Sequence, residues 1–518
     1  MFNKKKNILY ILSLYFTSSI SMLLGLGYAE DWSNKNIITG IIFFCCYLTG
    51  AAHRYTLIFL LISFSILSLY FPTGLIYGKP TAEVLNPLLH TNKLEAIGYV
   101  LALKDYLLIP ILFICIQYLI YRIVNVNTES KKSLTTIILF YFFTYLSLFG
   151  ISITNQSINE EAPLKNIISA YKIIQKQKEE LKKYIGDNAN IQINLIDNRD
   201  DTEVRVVIIG ESVRKDYLSV YGYPLNTTPY LNTAKGIFVD GLIAAAPNTE
   251  QSLSRVLFKT LPDQNKIYWG VNFVSLANKA GYETYWISNQ GITEYGDDIF
   301  YALAQSANHI QFFKKGNYSS NDTDDEEMLP IVSKIVNSNI KHKVIFVHMI
   351  GSHEPVCYRL GNFQPSVKTH NEASCYALTI KKLDLFIKKI TNILNKKKYK
   401  LMYFSDHGLS VEKKRIFHTA DIYEVYQIPL FYLDSEAKEH IKIKKMISSL
   451  NVLDLYSNFI NIKTNFTNEK YSFHSITELK DNPDPLIYWK NYKHLSSIKN
   501  KQPPITDIII DTKKSVPK

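Results

Sequence analysis

Cysteine is scarce in this sequence, with five in 518 residues. Cys45, Cys46 and Cys115 lie in strongly apolar stretches, which leaves Cys357 and Cys375 in the polar part of the chain. So few cysteines exclude a disulfide-rich scaffold. The last two favour one disulfide in an oxidising compartment, closing a loop of about 18 residues. Zinc ligation by this pair is the weaker alternative, because no neighbouring histidine or cysteine completes the usual spacing.

Two common catalytic loops are also missing. The chain has no internal repeat and no glycine-rich phosphate loop. The turn Gly210-Glu211-Ser212 resembles neither a Walker motif nor a Gly-x-Ser-x-Gly elbow, because no glycine follows the serine at the required place. These absences argue against a P-loop nucleotidase and against an ordinary α/β-hydrolase, and no nucleic-acid partner is expected.

Charged residues are sparse up to residue 155, whereas residues 156–518 have the mixed charge of a soluble domain. About 20 apolar residues are needed to cross the hydrocarbon core of a membrane. Five stretches qualify as candidates, of which the second is the shortest: 7–28, 37–52, 55–75, 106–124 and 134–153. The sequence therefore predicts a membrane domain with five helices over residues 1–155.

Basic residues predict the orientation of these spans. They fall on alternate connections: Lys4, Lys5 and Lys6, then His53 and Arg54, then Arg122, Lys131 and Lys132. The positive-inside rule then puts the amino terminus in the cytoplasm and everything from residue 156 on the opposite side, periplasmic or extracellular. A cleaved signal peptide is the alternative for the first span, but that span is long and lacks a small-x-small cleavage site.

A linker is predicted over residues 156–202. From Pro163 onward, apolar residues recur at helical spacing opposite a lysine-rich face, which indicates a helix on a membrane surface or against a neighbour. Residues 186–201 are polar and turn-rich, as expected of a hinge. The outer connection 77–105 is amphipathic and is either a solvated loop or a lip that helps to hold a lipid headgroup.

Residues 203–518 alternate between strand and helix patterns, which predicts an α/β domain with a mostly parallel sheet covered on both faces. Strands are predicted at 204–210, 282–289, 344–350, 401–404 and 428–432, and helices at 266–280, 328–339 and 377–394.

Two of the predicted strands end in metal-ligand side chains. The first apolar run ends at Glu211, and the run from residue 401 ends at Asp406, His407 and Gly408. Open α/β sheets place their chemistry at the carboxyl ends of strands, so these side chains can share one divalent cation. An ordinary turn is the alternative for the Asp-His-Gly sequence.

A nucleophile is expected beside these ligands. Ser212 is adjacent to Glu211, but a side chain next to a strand-end ligand is expected to point away from it. The turn from Pro247 to Arg255 is rich in hydroxyls and opens a helix, whose N-terminus suits a phosphate. Thr249 and Ser252 are equally good candidates by position alone, and Thr249 could instead be only a helix cap.

Several motifs together resemble one family. They are Glu211, Asn248-Thr249-x-x-Ser252-Leu253, Gly351-Ser352-His353, Ser405-Asp406-His407-Gly408, Tyr221-Gly222-Tyr223-Pro224, Asn226-Thr227-Thr228-Pro229 and Trp286 to Gln290. In order and spacing they are similar to the membrane phosphoethanolamine transferases of Gram-negative bacteria, in the alkaline phosphatase and sulfatase superfamily. The resemblance covers nearly the whole chain, including the five spans.

The resemblance implies a zinc ion bound by Glu211, Thr249, Asp406 and His407, with Thr249 carrying phosphoethanolamine as a covalent intermediate. His353 and His418 match the phosphate-side histidines of the family, and Asn248, Ser252 and Arg214 are further candidate substrate-binding residues. The implied donor is phosphatidylethanolamine. The implied acceptor is lipopolysaccharide, at a core sugar or lipid A, or a related periplasmic glycan. The implied location is the bacterial inner membrane, with the catalytic domain in the periplasm.

The chain departs from the family pattern at Leu409, where an acid often stands, and at the segments 375–378 and 427–429. With only two cysteines available for disulfides, these departures favour the branch that modifies core sugars. Three alternatives stay open. One is a glycerol phosphate transferase of the same superfamily, and the second is a sulfatase or phosphodiesterase, although no Cys-x-Pro-x-Arg motif occurs. The third is an inactive membrane-anchored protein that binds a glycan or a partner.

Overall fold

The computed structural model describes residues 4–28, 34–82, 84–85, 100, 103–124, 134–153, 156–158, 162–184, 191–196, 200–290, 299–313, 323–361, 363, 371–413, 415–473, 475–478 and 481–508. These residues fall into two compact units, one up to residue 176 and the other from residue 177.

The first unit is mainly helical. Its elements are α1 (Lys4–Gly25), α2 (Asn34–Gly50), α3 (Arg54–Ser68), α4 (Phe71–Tyr77), α5 (Leu108–Ile123), α6 (Leu134–Phe149), the hairpin of β1 (Ile151–Ile153) with β2 (Gln156–Ile158), and the start of α7 (Pro163–Tyr184). Each of the five predicted spans therefore contains a helix.

Fewer of these helices are long enough to cross a membrane. Among the described residues, 8–25 and 104–123 have the necessary length and apolar composition, and α3 with α4, bent by 48°, would make a third span. Helices α2 and α6 are apolar but shorter. The number of five crossings and the boundaries at residues 155 and 202 remain predictions.

Helix α7 is amphipathic, as the spacing of its apolar residues predicts. Ala170 and Ile174 are buried in a small cluster with Ala82. Ile168 and Tyr171, on another side of the helix, are exposed. The outer connection predicted to form a lip lies largely outside the described residues, at 86–99.

The second unit is an α/β domain. Its strands are β3 (Ile193–Leu195), β4 (Val204–Gly210), β5 (Gly236–Ile243), β6 (Phe258–Leu261), β7 (Lys266–Asn272), β8 (Glu283–Ser288), β9 (His309–Phe312), β10 (Lys343–His348), β11 (Tyr399–Ser405), β12 (Ser410–Val411), β13 (Ile416–Phe417), β14 (Gln427–Asp434), β15 (His440–Ile443), β16 (Ile447–Ser448), β17 (Ile462–Thr464), β18 (Leu486–Trp489) and β19 (Asn491–His494). Its helices are α8 (Thr249–Val256), α9 (Phe273–Lys279), α10 (Ile299–Ala304), α11 (Leu329–Val336), α12 (Glu372–Leu394) and α13 (Val452–Phe459).

The central sheet has the strand order β15-β5-β14-β11-β4-β10-β8-β9, with β16 also paired to β5. All of its pairings are parallel except the two made by β14, which runs antiparallel to β11 and to β5. The sheet is therefore mixed, with one reversed strand. All five predicted strand positions are confirmed, but the direction of β14 was not predicted.

The middle strands are continuous apolar runs because both faces of the sheet are buried. Successive residues of β4 enter different cores: Val206 and Ile208 pack with α12, whereas Val207 and Ile209 pack with α8 and α9. Because β4 and β11 are neighbouring parallel strands, their carboxyl ends lie side by side, and polar side chains follow directly after them.

The helix predicted at 266–280 is wrong in its first half. Lys266–Asn272 is strand β7, which pairs with β6, and α9 begins only at Phe273. The Asn272 side chain accepts a hydrogen bond from the Ser275 amide at 2.8 Å, and the Asn272 amide donates to the Ser275 hydroxyl at 2.9 Å. This reciprocal cap fixes the start of the helix.

A buried ion pair ties the segment before β4 to the sheet, and its loss should destabilise the domain. Asp200 accepts from the guanidinium of Arg205, which is 1% exposed. Although burial disfavours a charged carboxyl, Arg205 holds the pKa of Asp200 well below its usual range. We expect Asp200→Asn to lower the free energy of unfolding by about 3 kcal/mol, because it leaves a buried cation unpaired.

The pH dependence of this loss has a defined sign. A depressed folded-state pKa contributes stability above the unfolded value, about 3.9, and that contribution disappears as the pH falls through the folded value. The difference between wild type and Asp200→Asn in thermal unfolding should therefore be largest above about pH 4 and shrink in acid. Asp201→Asn, which removes an exposed partner of Lys398, is the matched control and should change little. Equal effects of the two substitutions would contradict the prediction.

Candidate metal centre

Three candidate ligands meet where two neighbouring strands end. Strands β4 and β11 are parallel, with Gly210 opposite Ser405, so Glu211 and Asp406 leave the sheet side by side. Glu211, Asp406 and His407 are all buried, and their ligand atoms lie within 4.8 Å of one another. The structure thus brings together the acid and imidazole groups that the sequence placed at two strand ends.

Thr249 joins this cluster from the first turn of α8. Its Oγ1 is 3.2 Å from each carboxylate oxygen of Glu211 and 3.1 Å from Nε2 of His407. The helix begins here because the Asn248 side chain accepts from the Gln251 amide at 2.9 Å, which makes Asn248 the N-cap. Thr249 is therefore not the cap, and its hydroxyl is directed at the three ligands.

Several distances between the candidate ligand atoms are close to those of a tetrahedral zinc site. Ligand atoms about 2.1 Å from a zinc ion are about 3.4 Å from each other. His407 Nε2 lies 3.2 Å from Asp406 Oδ2 and 3.6 Å from Glu211 Oε1, in addition to its 3.1 Å contact with Thr249. Asp406 Oδ2 is buried, and no described residue makes a hydrogen bond to it. A cation bound here would satisfy this oxygen.

Hydrogen bonds orient each ligand towards that position. Asp406 Oδ1 accepts from the amides of Ser212 and His407 at 2.8 and 2.7 Å, which leaves Oδ2 for the metal side. His407 Nδ1 donates to the Gly408 carbonyl at 2.8 Å, so Nε2 keeps its lone pair. These contacts fix the ligand atoms and the histidine tautomer.

The charges in the cluster also favour a cation. Burial raises the pKa of Glu211 well above its usual value, and the nearby Asp406 carboxylate raises it further. Two carboxylates in one buried site repel each other unless a proton or a metal ion lies between them. The residues present therefore fit zinc, whose common ligands include carboxylate oxygen and imidazole nitrogen.

Ser212 does not point away from Glu211 as expected. It has a positive φ of 62°, and this turn lets its hydroxyl donate to Glu211 Oε1 at 2.6 Å. The hydroxyl of Ser252 donates to the Asp406 carbonyl at 2.7 Å and is fully buried. Both serines support ligands, and of the three hydroxyls considered Thr249 is the one directed at the metal position.

The two candidate phosphate-side histidines lie next to the ligands. The ring of His418 is 4.8 Å from that of His407 and 6.2 Å from that of His353. Burial lowers the pKa of His418 to about 3, and the two other imidazoles add to this shift. His418 is therefore neutral at neutral pH, and its Nδ1 donates to the Pro247 carbonyl at 3.4 Å.

Arg214 is not available to a substrate. Its guanidinium donates to both carboxylate oxygens of Asp216, to the Leu409 carbonyl, and to the side-chain and main-chain oxygens of Gln502. These contacts engage all five N–H groups of a fully buried side chain. The prediction that Arg214 binds substrate is therefore wrong. The sequence shows the charge of Arg214 but not the residues that bind it.

Gln290 is a site residue that sequence reasoning did not assign to the metal centre. It follows β8, and its Nε2 donates to Glu211 Oε2 at 3.3 Å and to the Met349 carbonyl at 2.6 Å. Its sequence signals are its place just after a strand of the same sheet and its membership of the Trp286 to Gln290 motif. Gln290 holds the second oxygen of Glu211.

Cys357 and Cys375 form a disulfide, with their Cα atoms 5.0 Å apart. Cys375 lies in α12, and Cys357 follows shortly after His353. Arg359, in the same loop, donates to the carbonyls of His353 and Glu354, each at 3.0 Å. The disulfide and Arg359 therefore hold the segment that carries His353.

This arrangement of fold and site defines a sulfatase-like domain. The sequence model of the Sulfatase family matches residues 204–460, from β4 to the end of α13. A full-length solved structure, the integral membrane lipooligosaccharide phosphoethanolamine transferase A (EptA) from Neisseria meningitidis, superposes with a TM-score of 0.58 at 16% identity, covering 89% of this chain and 97% of that one. The periplasmic domain of EptC from Escherichia coli, solved in complex with Zn, has a TM-score of 0.52 at 19% identity, covering 60% of this chain and 96% of that one.

Sequence comparison identifies the family within the sulfatase-like proteins. A putative phosphoethanolamine transferase of Haemophilus influenzae is 31% identical over 379 residues, which are 68% of this chain and 73% of that protein. Phosphoethanolamine transferase OpgE of Escherichia coli K12 is 28% identical over 504 residues, 93% of each chain. The chain belongs to the phosphoethanolamine transferase family, and it is an enzyme of that family, as the motifs predict.

Proposed function

We propose that this protein transfers phosphoethanolamine from phosphatidylethanolamine to lipopolysaccharide, at a core sugar or lipid A, through a covalent intermediate on Thr249. The observation that carries this proposal is the position of the Thr249 hydroxyl, in contact with both Glu211 and His407 at the first turn of α8. A hydroxyl in this position is suited to act as a nucleophile, and in a phosphoethanolamine transferase the group it would attack is the phosphorus of the donor.

Zinc is the proposed cofactor, held by Glu211, Thr249, Asp406 and His407. When bound, it would lower the pKa of the Thr249 hydroxyl and offset negative charge on the phosphate. Asp406 Oδ2, which accepts no hydrogen bond from any described residue, and the distances between the candidate ligand atoms support this assignment. The Zn complex of the similar EptC domain is consistent with it.

In the first step the chain binds and cleaves the donor. The proton of the Thr249 hydroxyl passes to a neighbouring imidazole and the Thr249 oxygen bonds to phosphorus, while the bond from phosphorus to the diacylglycerol oxygen breaks. His353 and His418 each donate Nδ1–H to a main-chain carbonyl, so the other nitrogen of a neutral ring can take the proton of Thr249 and then give it to the leaving oxygen. The positive end of α8 favours the anionic phosphate on its first residue.

In the second step a hydroxyl of the acceptor attacks the same phosphorus. The acceptor oxygen bonds to phosphorus, the bond between Thr249 and phosphorus breaks, and the proton of the acceptor hydroxyl passes to the Thr249 oxygen, which restores the threonine hydroxyl. Splitting one transfer into two allows donor and acceptor to use one site in turn. The acceptor class is supported by the Neisseria neighbour, which is a lipooligosaccharide phosphoethanolamine transferase.

The test is to trap the intermediate. The full-length protein in detergent is incubated with phosphatidylethanolamine and no acceptor, and intact mass and peptide mapping are used to find the adduct. We expect one phosphoethanolamine group per chain, on Thr249. An adduct on Ser212 or Ser252 would show that Thr249 is not the nucleophile. A protein that has neither zinc nor adduct would favour the inactive binding protein that the sequence left open.

The periplasmic location of the catalytic domain is part of the proposal and is tested by reporter fusions. The basic residues before the first span and around residues 131–132 predict a cytoplasmic side for both segments. An enzyme reporter that works only in the periplasm should be active when fused after residue 200 and silent when fused near Ser130. A reporter that works only in the cytoplasm should give the opposite pattern. Activity at both positions, or the reverse result, would contradict the topology.

A further inference from the structure

We propose that Gln502, at the far end of the chain, is a positioning residue for the metal centre that fixes the orientation of His407. This inference rests on the proposed function, because it takes His407 as a zinc ligand. Gln502 belongs to the segment 500–508, which we call the C-terminal strap. It lies 95 residues after His407 in sequence and gave no signal of such a role.

Nearly every polar group of Gln502 is used. Its Oε1 accepts from the Val411 amide at 2.8 Å and from Arg214 at 2.7 Å, and its Nε2 donates to the Ser410 hydroxyl at 2.9 Å. Its main-chain oxygen accepts from Arg214 at 2.6 Å, and its amide donates to Glu424 at 2.7 Å. One side chain therefore joins the segment after His407 to the segment after Glu211.

Arg214, which Gln502 binds, contacts the residue that hydrogen-bonds to His407. Arg214 packs on Gly408 so closely that a Cβ added to Gly408 would lie 2.4 Å from Arg214 Cγ. The Gly408 carbonyl is the group that accepts from His407 Nδ1. The position of Arg214 therefore sets where that carbonyl lies, and the carbonyl sets the plane and tautomer of the imidazole.

A second contact of Gly408 also leads to the strap. The Gly408 amide donates to the Val425 carbonyl at 2.8 Å, and the neighbouring Glu424 accepts from the Gln502 amide. Gly408 thus contacts both Arg214 and Val425, and Gln502 binds Arg214 and Glu424, the neighbour of Val425. Residues that orient a metal-binding histidine typically change metal affinity about 10- to 100-fold when they are removed.

The test measures zinc binding by the full-length protein, with Gln502→Ala against wild type. We expect Gln502→Ala to raise the Kd for zinc, measured by competition with a chelator, about ten-fold. Gln502→Glu keeps the acceptor oxygen for Arg214 and Val411 and should restore most of the affinity. The visible spectrum of the Co²⁺-loaded protein should differ from wild type in Gln502→Ala and return in Gln502→Glu, because it reports ligand geometry.

Asp507→Ala is the matched control, since it removes an exposed contact of the same strap with Lys413 and touches no metal ligand. Its zinc Kd and Co²⁺ spectrum should equal those of wild type. If Gln502→Ala does not fold, Gln502→Asn, which is one methylene shorter, replaces it. Unchanged zinc binding and spectrum in the Gln502 variants would overturn the inference, as would an equal loss in Asp507→Ala. Failure of wild type to bind zinc would instead refute the proposed function and, with it, this inference.

Discussion

Thr249→Ala is expected to abolish the phosphoethanolamine adduct and to reduce transfer by about a thousand-fold or more, in the range seen when a nucleophile is removed from an enzyme. The reason is that no other hydroxyl described in the site can replace it. Ser212 donates to Glu211, and Ser252 donates to the Asp406 carbonyl. Most of the bound zinc should remain, because the lost group is one weak ligand beside three stronger ones. Intact mass detects the adduct, and metal analysis of the same sample measures zinc.

Two variants make this result specific. Thr249→Ser keeps a hydroxyl and should keep part of the adduct and activity. Ser254→Ala removes another hydroxyl of α8, which donates to the Gln251 carbonyl within the helix, and should leave activity nearly unchanged. An adduct that persists in Thr249→Ala, or an equal loss in Ser254→Ala, would show that Thr249 is not the nucleophile.

Glu211→Gln is expected to lose both zinc and adduct. The neutral amide still fits beside Gln290 and Ser212, but it replaces a carboxylate ligand with a much poorer one. We expect the Kd for zinc to rise by more than about 100-fold, beyond the effect of residues that only orient ligands. Metal analysis after dialysis measures the loss directly.

The matched control is a buried carboxylate elsewhere in the domain. Asp384 is fully buried and accepts from the amides of Tyr230 and Leu231, each at 2.9 Å. Asp384→Asn should lower stability without changing zinc stoichiometry. Retention of stoichiometric zinc by Glu211→Gln would remove Glu211 from the ligand set.

In the metal-free protein, Glu211→Gln should raise the free energy of unfolding. Because the pKa of Glu211 is raised in the folded protein, the favourable contribution of this carboxyl is full below its unfolded pKa, about 4.3, and is lost as the pH rises. At neutral pH, metal-free Glu211→Gln should therefore be more stable than metal-free wild type by about 1 kcal/mol. It should also unfold at a higher temperature. The difference should vanish near pH 4.

The candidate ligands Glu211 and Asp406 could be found from sequence because they follow strong strand patterns. The apolar runs ending at Glu211 and at Asp406 predicted two buried strands, and parallel strands in one sheet end on the same side. Strand β14 could not be oriented in this way, because an apolar run is the same read in either direction. The start of α9 was also misplaced, since the Asn272 cap outweighed the helical spacing of the residues before it.

By itself, the sequence determined the family, the α/β class of the second unit and the residue types of the metal centre, since these depend on local patterns and motif order. Only the tertiary structure decided that Arg214 is committed to Asp216 and Gln502, that Ser212 supports Glu211, and that Thr249 rather than Ser252 faces the ligands. Such assignments depend on hydrogen bonds between residues far apart in the chain. Packing of the sheet and its helices sets their distances and directions, and no local pattern records them.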